Sequence, residues 1–158
     1  GSRNTAIGEN AGANITTGDN NVCLGRDSST TSSGVDDQII LGNGGNNDLR
    51  CNDQSIGALS DSRDKTDVVD LPVGLSFIES IRPVKFKWAS RDGNGNDGKI
   101  RAGFLAQELQ TASVDANYLN LVMDDNPDKL VAKYANLIPV LVKAIQELST
   151  KVTALEAG

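Results

Sequence analysis

A repeat of 17 residues in the first third of the chain places the strongest constraint on its fold. Three short apolar segments each end in a glycine, at Gly8, Gly25 and Gly42, so the spacing is 17 residues both times. Polar residues separate the segments, and each unit therefore predicts one short strand, a glycine and a turn. One such strand cannot bury its own apolar face, whereas stacked repeats can, and so can copies wound together from several chains. A flexible glycine-rich linker is the alternative, but a linker has no reason to keep this period.

The repeat resembles those in the trimeric fibrous stalks of phage tail fibres and related adhesins, in which three chains share each layer. The resemblance covers residues 4 to about 45. It implies a trimeric β-repeat stalk, like a β-prism or a β-helix. Residues 43–59 lose the period, and we interpret them as a loop that leads into Ser60.

Composition favours an elongated or oligomeric protein. Hydrophobic residues make up 38% of the 158 residues but aromatic residues only 4%, which is little for one compact core. The net charge of −6 argues against nucleic acid or an anionic membrane surface as a partner. We also expect no membrane insertion, because no apolar run is long enough to span a bilayer.

Metal and cofactor binding are not expected from the residue types present. The chain has no histidine and only two cysteines, which are far apart in sequence. Cys23 occupies an apolar repeat position, so we expect it to be a small buried residue. The Asp- and Asn-rich loop at residues 92–98 lacks the glutamate that a calcium loop carries at its twelfth position.

The second half has the pattern of a mixed α/β domain, so the whole chain is predicted to be α+β. Apolar residues at helical spacing predict a helix over residues 71–80. Alternation of Val, Phe and Trp with lysine predicts a strand over residues 83–88, with residues 100–104 returning as a hairpin. A short helix is predicted to begin at residues 105–109, and a strand to cover residues 118–122.

The last part of the chain carries a heptad pattern, which predicts a coiled-coil helix over about residues 131–156. The residue types at the two core positions favour a parallel dimer by simple rules. The resemblance to trimeric stalks favours a trimer, which we adopt. Pro139 indicates that the helix starts there or is kinked. The predicted trimer seam consists of Ile138, Leu141, Ile145, Leu148, Val152 and Leu155.

Ser60 and Lys65 lie at the junction between the two halves of the chain. Such a pair can belong to a polar linker, or it can supply the nucleophile and base of a chain that cuts itself. A lysine can take a proton from serine only where its ammonium form is disfavoured by desolvation or by a nearby cation. On a straight helix five residues turn through about 140°. The stretch must therefore bend, or the lysine must come from a neighbouring chain.

Four motifs in order resemble the peptidase S74 family, whose members are intramolecular chaperone domains at the C-termini of phage tailspikes and tail fibres, including endosialidases. The resemblance covers about residues 55 to 156. The motifs are Ser60-Asp61-x-Arg63-x-Lys65, Ile81-Arg82-Pro83-Val84-Lys85-Phe86-Lys87-Trp88, Gly103-Phe104-Leu105-Ala106-Gln107-Glu108-Leu109-Gln110, and Tyr134 with residues 137–148.

The resemblance implies a homotrimeric chaperone domain over residues 60–158 that templates folding of the stalk in residues 1–59. It also implies self-cleavage of the Leu59–Ser60 bond, with Ser60 as nucleophile and Lys65 as general base. The supporting motif residues are Asp61, Arg63, Gln107 and Glu108. The protein would then belong to a virion tail fibre or spike assembled in the host cytoplasm, from which the cut domain can be released.

A second function stays open from the sequence alone. The chain could be a non-cleaving structural or receptor-binding tip of a trimeric viral fibre, which kept the fold and lost the cutting activity. Cleavage of the purified protein distinguishes the two functions.

Overall fold

The computed structural model describes residues 1–46, 48–53, 56–91 and 96–158. It is a small mixed α/β protein that ends in a helix. The strands are β1 (Thr5–Ile7), β2 (Val22–Leu24), β3 (Ile39–Leu41), β4 (Val84–Lys87), β5 (Ile100–Gly103), β6 (Val122–Met123) and β7 (Val131–Ala132). The α-helices are α1 (Leu75–Ser80), α2 (Ala106–Ala112) and α3 (Ile138–Glu156). Short 3-10 helices occur at Ser62–Asp64, Asn117–Leu119 and Tyr134–Leu137.

Strands β1, β2 and β3 form a parallel sheet in that order. Thr5 pairs with Val22, and Val22 with Ile39, so the register equals the repeat period. The sheet confirms the predicted strands and their spacing. The sheet forms within a single chain. The successive repeat units, which we call coils, therefore hydrogen-bond to each other without a second copy of the chain.

An amide ladder, formed by Asn4, Asn21 and Gln38, runs along the stacked coils. The N–H of Asn21 donates to Oδ1 of Asn4, and the N–H of Gln38 donates to Oδ1 of Asn21, both at 2.9 Å. The Nδ2 groups of Asn4 and Asn21 each donate at 2.8 Å to a carbonyl, that of Gly18 for the first and that of Val35 for the second. Asn21 is fully buried, and these bonds provide the partners that a buried amide requires.

Close approach of neighbouring coils explains the repeated glycines. Gly8 and Gly25 have φ angles of +129° and +110°, which favour glycine. A Cβ on Gly8 would lie 2.7 Å from the carbonyl carbon of Gly25. Asn20 and Asp37, one period apart, also have positive φ, which Asn and Asp tolerate better than most residues. Nδ2 of Asn20 donates to Oδ1 of Asp37 at 2.7 Å.

The two faces of this sheet differ in burial. Cys23 is buried, as expected, and burial raises the pKa of its thiol. Alternate residues of a strand point to the opposite face, where Ile7 is 64% exposed and Ile39 73% exposed. Together with the exposed Leu41, they form what we call the open sheet face. A single chain leaves this apolar surface in contact with water.

The core of the second half lies where α1, α2 and α3 meet the segment that follows α2. Strands β4 and β5 form an antiparallel hairpin beside it, with Val84 opposite Gly103. This confirms the predicted hairpin, and α2 confirms the helix predicted to begin at residues 105–109. The buried core residues are Phe77, Leu109, Ala116, Leu119, Leu121, Leu137 and Val140.

Both long helical predictions begin too early. The helix predicted from Leu71 begins at Leu75, because a side chain distant in sequence fixes its first turn: Oε2 of Glu147 accepts a hydrogen bond from the N–H of Leu75 at 2.8 Å. Pro72 therefore precedes the helix. The coiled-coil helix predicted from residue 131 begins at Ile138. Val131 and Ala132 pair as β7 with β6 instead, and Tyr134–Leu137 form a 3-10 helix.

The strand predicted over residues 118–122 is wrong for most of its length. Residues 117–119 form a 3-10 helix, which ends at Asn120 with a φ of +48°. This left-handed residue breaks an extended path. Only Val122 and Met123 remain extended, as β6.

Helix α3 has two distinct faces. Val140 is fully buried in the core with Phe77 of α1. At 100° per residue the predicted seam lies on an adjacent face, and it is exposed: Ile145 is 66% and Leu148 49% exposed. Pro139 lies in the first turn, so the helix starts there and is not kinked. In the described ranges, no helix is long and apolar enough to cross a membrane.

Candidate active site

Ser60 and Lys65 meet within one chain. The 3-10 helix at residues 62–64 bends the stretch between them, and Lys65 on its far side is extended, with φ −123° and ψ 141°. Nζ of Lys65 then donates to Oγ of Ser60 at 2.6 Å. The sequence left open whether the stretch bends or the lysine comes from a neighbouring chain, and in the structure the stretch bends.

Asp61 and Arg63 shape this bend. Oδ1 of Asp61 accepts from the N–H of Arg63 at 2.9 Å and so caps the 3-10 helix. Nη2 of Arg63 donates to Oδ2 of Asp61 at 2.6 Å, and Nε donates to Oδ1 at 3.0 Å. The Arg63 side chain thereby lowers the pKa of Asp61, and Asp61 raises the pKa of Arg63. Both motif residues hold the turn that brings Lys65 back to Ser60.

The whole stretch around the pair is open to solvent. Every residue from 56 to 70 is exposed, and we call this segment the exposed arm. Leu59, whose carbonyl precedes Ser60, is fully exposed. The arm also exposes large apolar side chains, among them Ile56 and Val69. In one chain the pair therefore has the correct distance but lies in water.

Gln107 and Glu108 lie on α2, in the second half of the chain. Glu108 forms an ion pair with Arg82, which precedes β4, and this contact raises the pKa of Arg82. The carbonyl of Gln107 accepts from Oγ1 of Thr111 at 3.0 Å. The Arg82–Glu108 ion pair connects two of the sequence motifs. Through it, Glu108 orients α2 beside the hairpin.

A contact that the sequence did not reveal joins the third motif to the fourth. The hydroxyl of Tyr134 accepts from the N–H of Phe104 and donates to its carbonyl, both at 3.2 Å. The two rings pack edge to face with centroids 5.5 Å apart. A Cβ on Gly103 would lie 2.7 Å from that hydroxyl. The glycine in the motif was the available signal, since close approach of another group is one reason for glycine in a strand.

Metal ligands are not grouped in the part of the chain that the structure describes. There, no three His, Cys, Asp or Glu side chains come together in a way that could hold a metal ion. Residues 92–95, which are four of the seven residues of the Asp- and Asn-rich loop considered for calcium, lie outside the described residues.

The Ser60–Lys65 pair lies between the parallel repeat sheet and the helices and hairpin of the second half. Residues 60–118 match the family model of peptidase S74, described as chaperone of endosialidase, and the match begins at Ser60. Over these residues, the match confirms the resemblance to the peptidase S74 family seen in the sequence. No curated protein and no solved structure matches the chain. Helix α3 lies beyond the matched residues.

Proposed function

We propose that residues 60–158 are a trimeric intramolecular chaperone that assembles the repeat segment into a fibre stalk and then cuts the Leu59–Ser60 bond. The observation that carries the cleavage is the 2.6 Å hydrogen bond between Nζ of Lys65 and Oγ of Ser60. It lies at the first residue of the peptidase S74 match. The match to a chaperone family supports the assembly role.

The cleavage chemistry balances with the atoms of the site and one water molecule. Oγ of Ser60 attacks the carbonyl carbon of Leu59, while the neutral amine of Lys65 takes the hydroxyl proton. The bond between that carbon and the backbone nitrogen of Ser60 breaks as the nitrogen gains a proton. The product is an ester that joins Leu59 to the Ser60 side chain. Water hydrolyses this ester to a carboxylate on Leu59 and a free hydroxyl on Ser60.

Lys65 can act as this base only where its ammonium form is disfavoured, and burial does that. The exposed arm provides no burial in a single chain. Its apolar side chains, Leu59 and Val69 among them, favour packing against other copies of the chain. Assembly would then bury the pair and start cleavage only after the copies have come together.

Two apolar surfaces support assembly from several copies. The seam of α3 is exposed beside the face that packs on α1, and the open sheet face is exposed on the repeat. Contiguous exposed apolar surface of this kind marks an interaction site. Three copies would bury both surfaces around one axis, in a tail fibre or spike of a phage virion assembled in the host cytoplasm.

A separate chaperone domain is useful because the repeat gains little free energy of folding until several chains have assembled. Three free strands lose conformational entropy before any layer forms. Association through α3 makes their encounter effectively intramolecular and raises the local strand concentration. Once the stalk has formed, cutting severs its covalent connection to the domain that nucleated it, so the stalk becomes kinetically trapped.

The test compares two sources of residues 1–59. In the cut full-length protein, chemical cross-linking followed by a denaturing gel should show residues 1–59 as trimers. The same segment expressed without residues 60–158 should be monomeric or aggregated. If it forms trimers equally well alone, residues 60–158 are not its chaperone.

A non-cleaving fibre tip remains the second candidate, because the Ser60–Lys65 pair is exposed in a single chain. Under this alternative the assembled protein keeps one full-length mass and still binds a receptor. Trimers that stay uncut after prolonged incubation would favour it.

A further inference from the structure

A turn in the second half of the chain contacts the segment of the repeat that lies between β2 and β3. The turn joins β6 to β7, and its Asp125 and Asn126 face the repeat. Oδ2 of Asp125 accepts from Oγ1 of Thr31 and from Nε2 of Gln38, both at 2.6 Å. Nδ2 of Asn126 donates to the carbonyl of Thr31 at 2.5 Å. Nε2 of Gln38 also lies 3.9 Å from Sδ of Met123.

Gln38 is the residue of the amide ladder that differs from the others. Asn4 and Asn21 direct their Nδ2 groups to a carbonyl within the stack, 14 residues further along the chain. Gln38 keeps its backbone bond to Asn21. Its side chain accepts from the N–H of Thr31 at 3.1 Å and donates to Oγ1 of Thr31 at 2.7 Å, and its Nε2 also reaches outward to Asp125. The residue 14 positions after Gln38, which would supply the corresponding carbonyl, is Asn52, and the repeat has ended before it. The turn therefore contacts a feature that distinguishes the last coil from the two before it.

The contact lies on both sides of the predicted cut. Thr31 and Gln38 precede the Leu59–Ser60 bond, and Asp125 and Asn126 follow it. The covalent path between the two halves runs through the exposed arm, whereas these hydrogen bonds bypass it. Breaking the bond at Ser60 leaves them intact. Hydrogen bonds to a charged acceptor such as the Asp125 carboxylate are the stronger kind.

We propose that Asp125 and Asn126 form a clasp that binds the repeat between β2 and β3 and holds residues 1–59 and 60–158 together after the chain is cut. The inference rests on the proposed cleavage for its biological setting. The partner of the clasp is the cut stalk segment itself, recognised through Gln38 and the Thr31 backbone and hydroxyl. Cutting and release are then two separate steps.

The experiment uses the full-length protein after it has cut itself, with cutting verified on a denaturing gel. Size-exclusion chromatography at successive dilutions then measures whether the fragments elute together. Both fragments should coelute for the parent protein. Asp125→Ala and Gln38→Asn should each raise the dissociation constant about tenfold or more. Gln38→Asn is the safer variant for folding, because asparagine occupies the same ladder position at residues 4 and 21.

Asp124→Ala is the matched control. It removes the neighbouring carboxylate of the same turn, which accepts from Gln110 within the second half at 3.1 Å. It should leave coelution unchanged. Parent fragments that separate as soon as they are cut would overturn the clasp, and so would Asp125→Ala fragments that stay together as tightly as the parent.

An inserted protease site distinguishes failure of self-cleavage from failure of the clasp, because it allows the chain to be cut even if it does not cut itself. A protease site inserted between Gly57 and Ala58 lies in the exposed arm, where a side chain on Gly57 would meet no atom within 4 Å. If the gel shows no self-cleavage, cutting there allows the same chromatography. The expected and contradicting elution results are unchanged.

Discussion

Glu147 of α3 caps the first turn of α1, because its Oε2 accepts from the N–H of Leu75 across 72 residues of sequence. In the sequence, Glu147 lies between the seam residues Ile145 and Leu148. One short stretch of α3 thus serves the domain core on one side and the predicted trimer seam on the other. The helix that carries the predicted seam, α3, is therefore also hydrogen-bonded to α1, the helix that follows the exposed arm.

This cap explains Gly74 and predicts the effect of filling its space. A Cβ at Gly74 would lie within 2.7 Å of the Glu147 carboxyl group. Gly74→Ala should displace that carboxylate and lower the free energy of unfolding by about 1 kcal/mol, the usual cost of a lost cap. Glu147→Ala should have a similar effect. Urea unfolding at one fixed protein concentration measures both. Equal stability of all three proteins would show that the cap contributes nothing.

The hydroxyl of Tyr134 and Gly103 should be energetically coupled. Gly103→Ala places a methyl group 2.7 Å from that hydroxyl and 3.2 Å from the ring of Phe86, and such overpacking costs about 1–3 kcal/mol. Removing the hydroxyl with Tyr134→Phe should reduce that cost, although it removes both bonds to Phe104. Unfolding of the two single variants and the double variant forms the required cycle. Strictly additive effects would contradict the coupling.

The seam of α3 should determine the oligomeric state. Ile145→Asp together with Leu148→Asp introduces carboxylates at two exposed apolar positions of every copy, and burying them without partners is costly. Light scattering should report monomers. The control is Gln146→Asp with Thr150→Asp, which adds the same charge to the polar face and should leave the oligomer intact. A stable trimer of the seam variant would place assembly in the repeat instead.

Acid should affect the turn around Ser60 only below the ordinary range of an aspartate. The Arg63 side chain lowers the pKa of Asp61 from its ordinary value of 3.8. Because the folded pKa is depressed, the contribution of the ion pair is present above the unfolded value and is lost as the pH falls through the folded one. A carboxyl NMR titration should give a midpoint below 3.8 for Asp61. Arg63→Gln should return the midpoint towards 3.8, and an unchanged midpoint would exclude the ion pair.

Periodic features of the chain were predictable, because they depend on neighbours in sequence. Glycine at a constant spacing located β1, β2 and β3, and the heptad pattern located the exposed face of α3. Cys23 was correctly expected to be buried for the same reason. Each of these inferences needed only the regular spacing of glycine or of apolar residues along the sequence.

The start of α1 and several contacts between distant residues were not predictable. The start of α1 at Leu75 depends on Glu147. The Gln38 side chain bonds to Asp125, which lies 87 residues away in sequence. The Ser60–Lys65 distance depends on a 3-10 turn that Asp61 caps. Spacing alone gave the two residues but left open whether they meet within one chain. The first two outcomes are decided by tertiary contacts between residues distant in sequence, and the third by the conformation of one short turn.

The most direct test of the account is the intact mass of the assembled protein under denaturing conditions. The parent protein should give two masses, for residues 1–59 and 60–158. Ser60→Ala should give one full-length mass, and Lys65→Arg, which keeps the charge but cannot readily lose its proton, should cut at least about 100-fold more slowly. Ser62→Ala, a change to the next serine in the same turn, should cut normally. A parent protein that keeps a single full-length mass, or a Ser60→Ala protein that gives the same two fragments, would contradict the account.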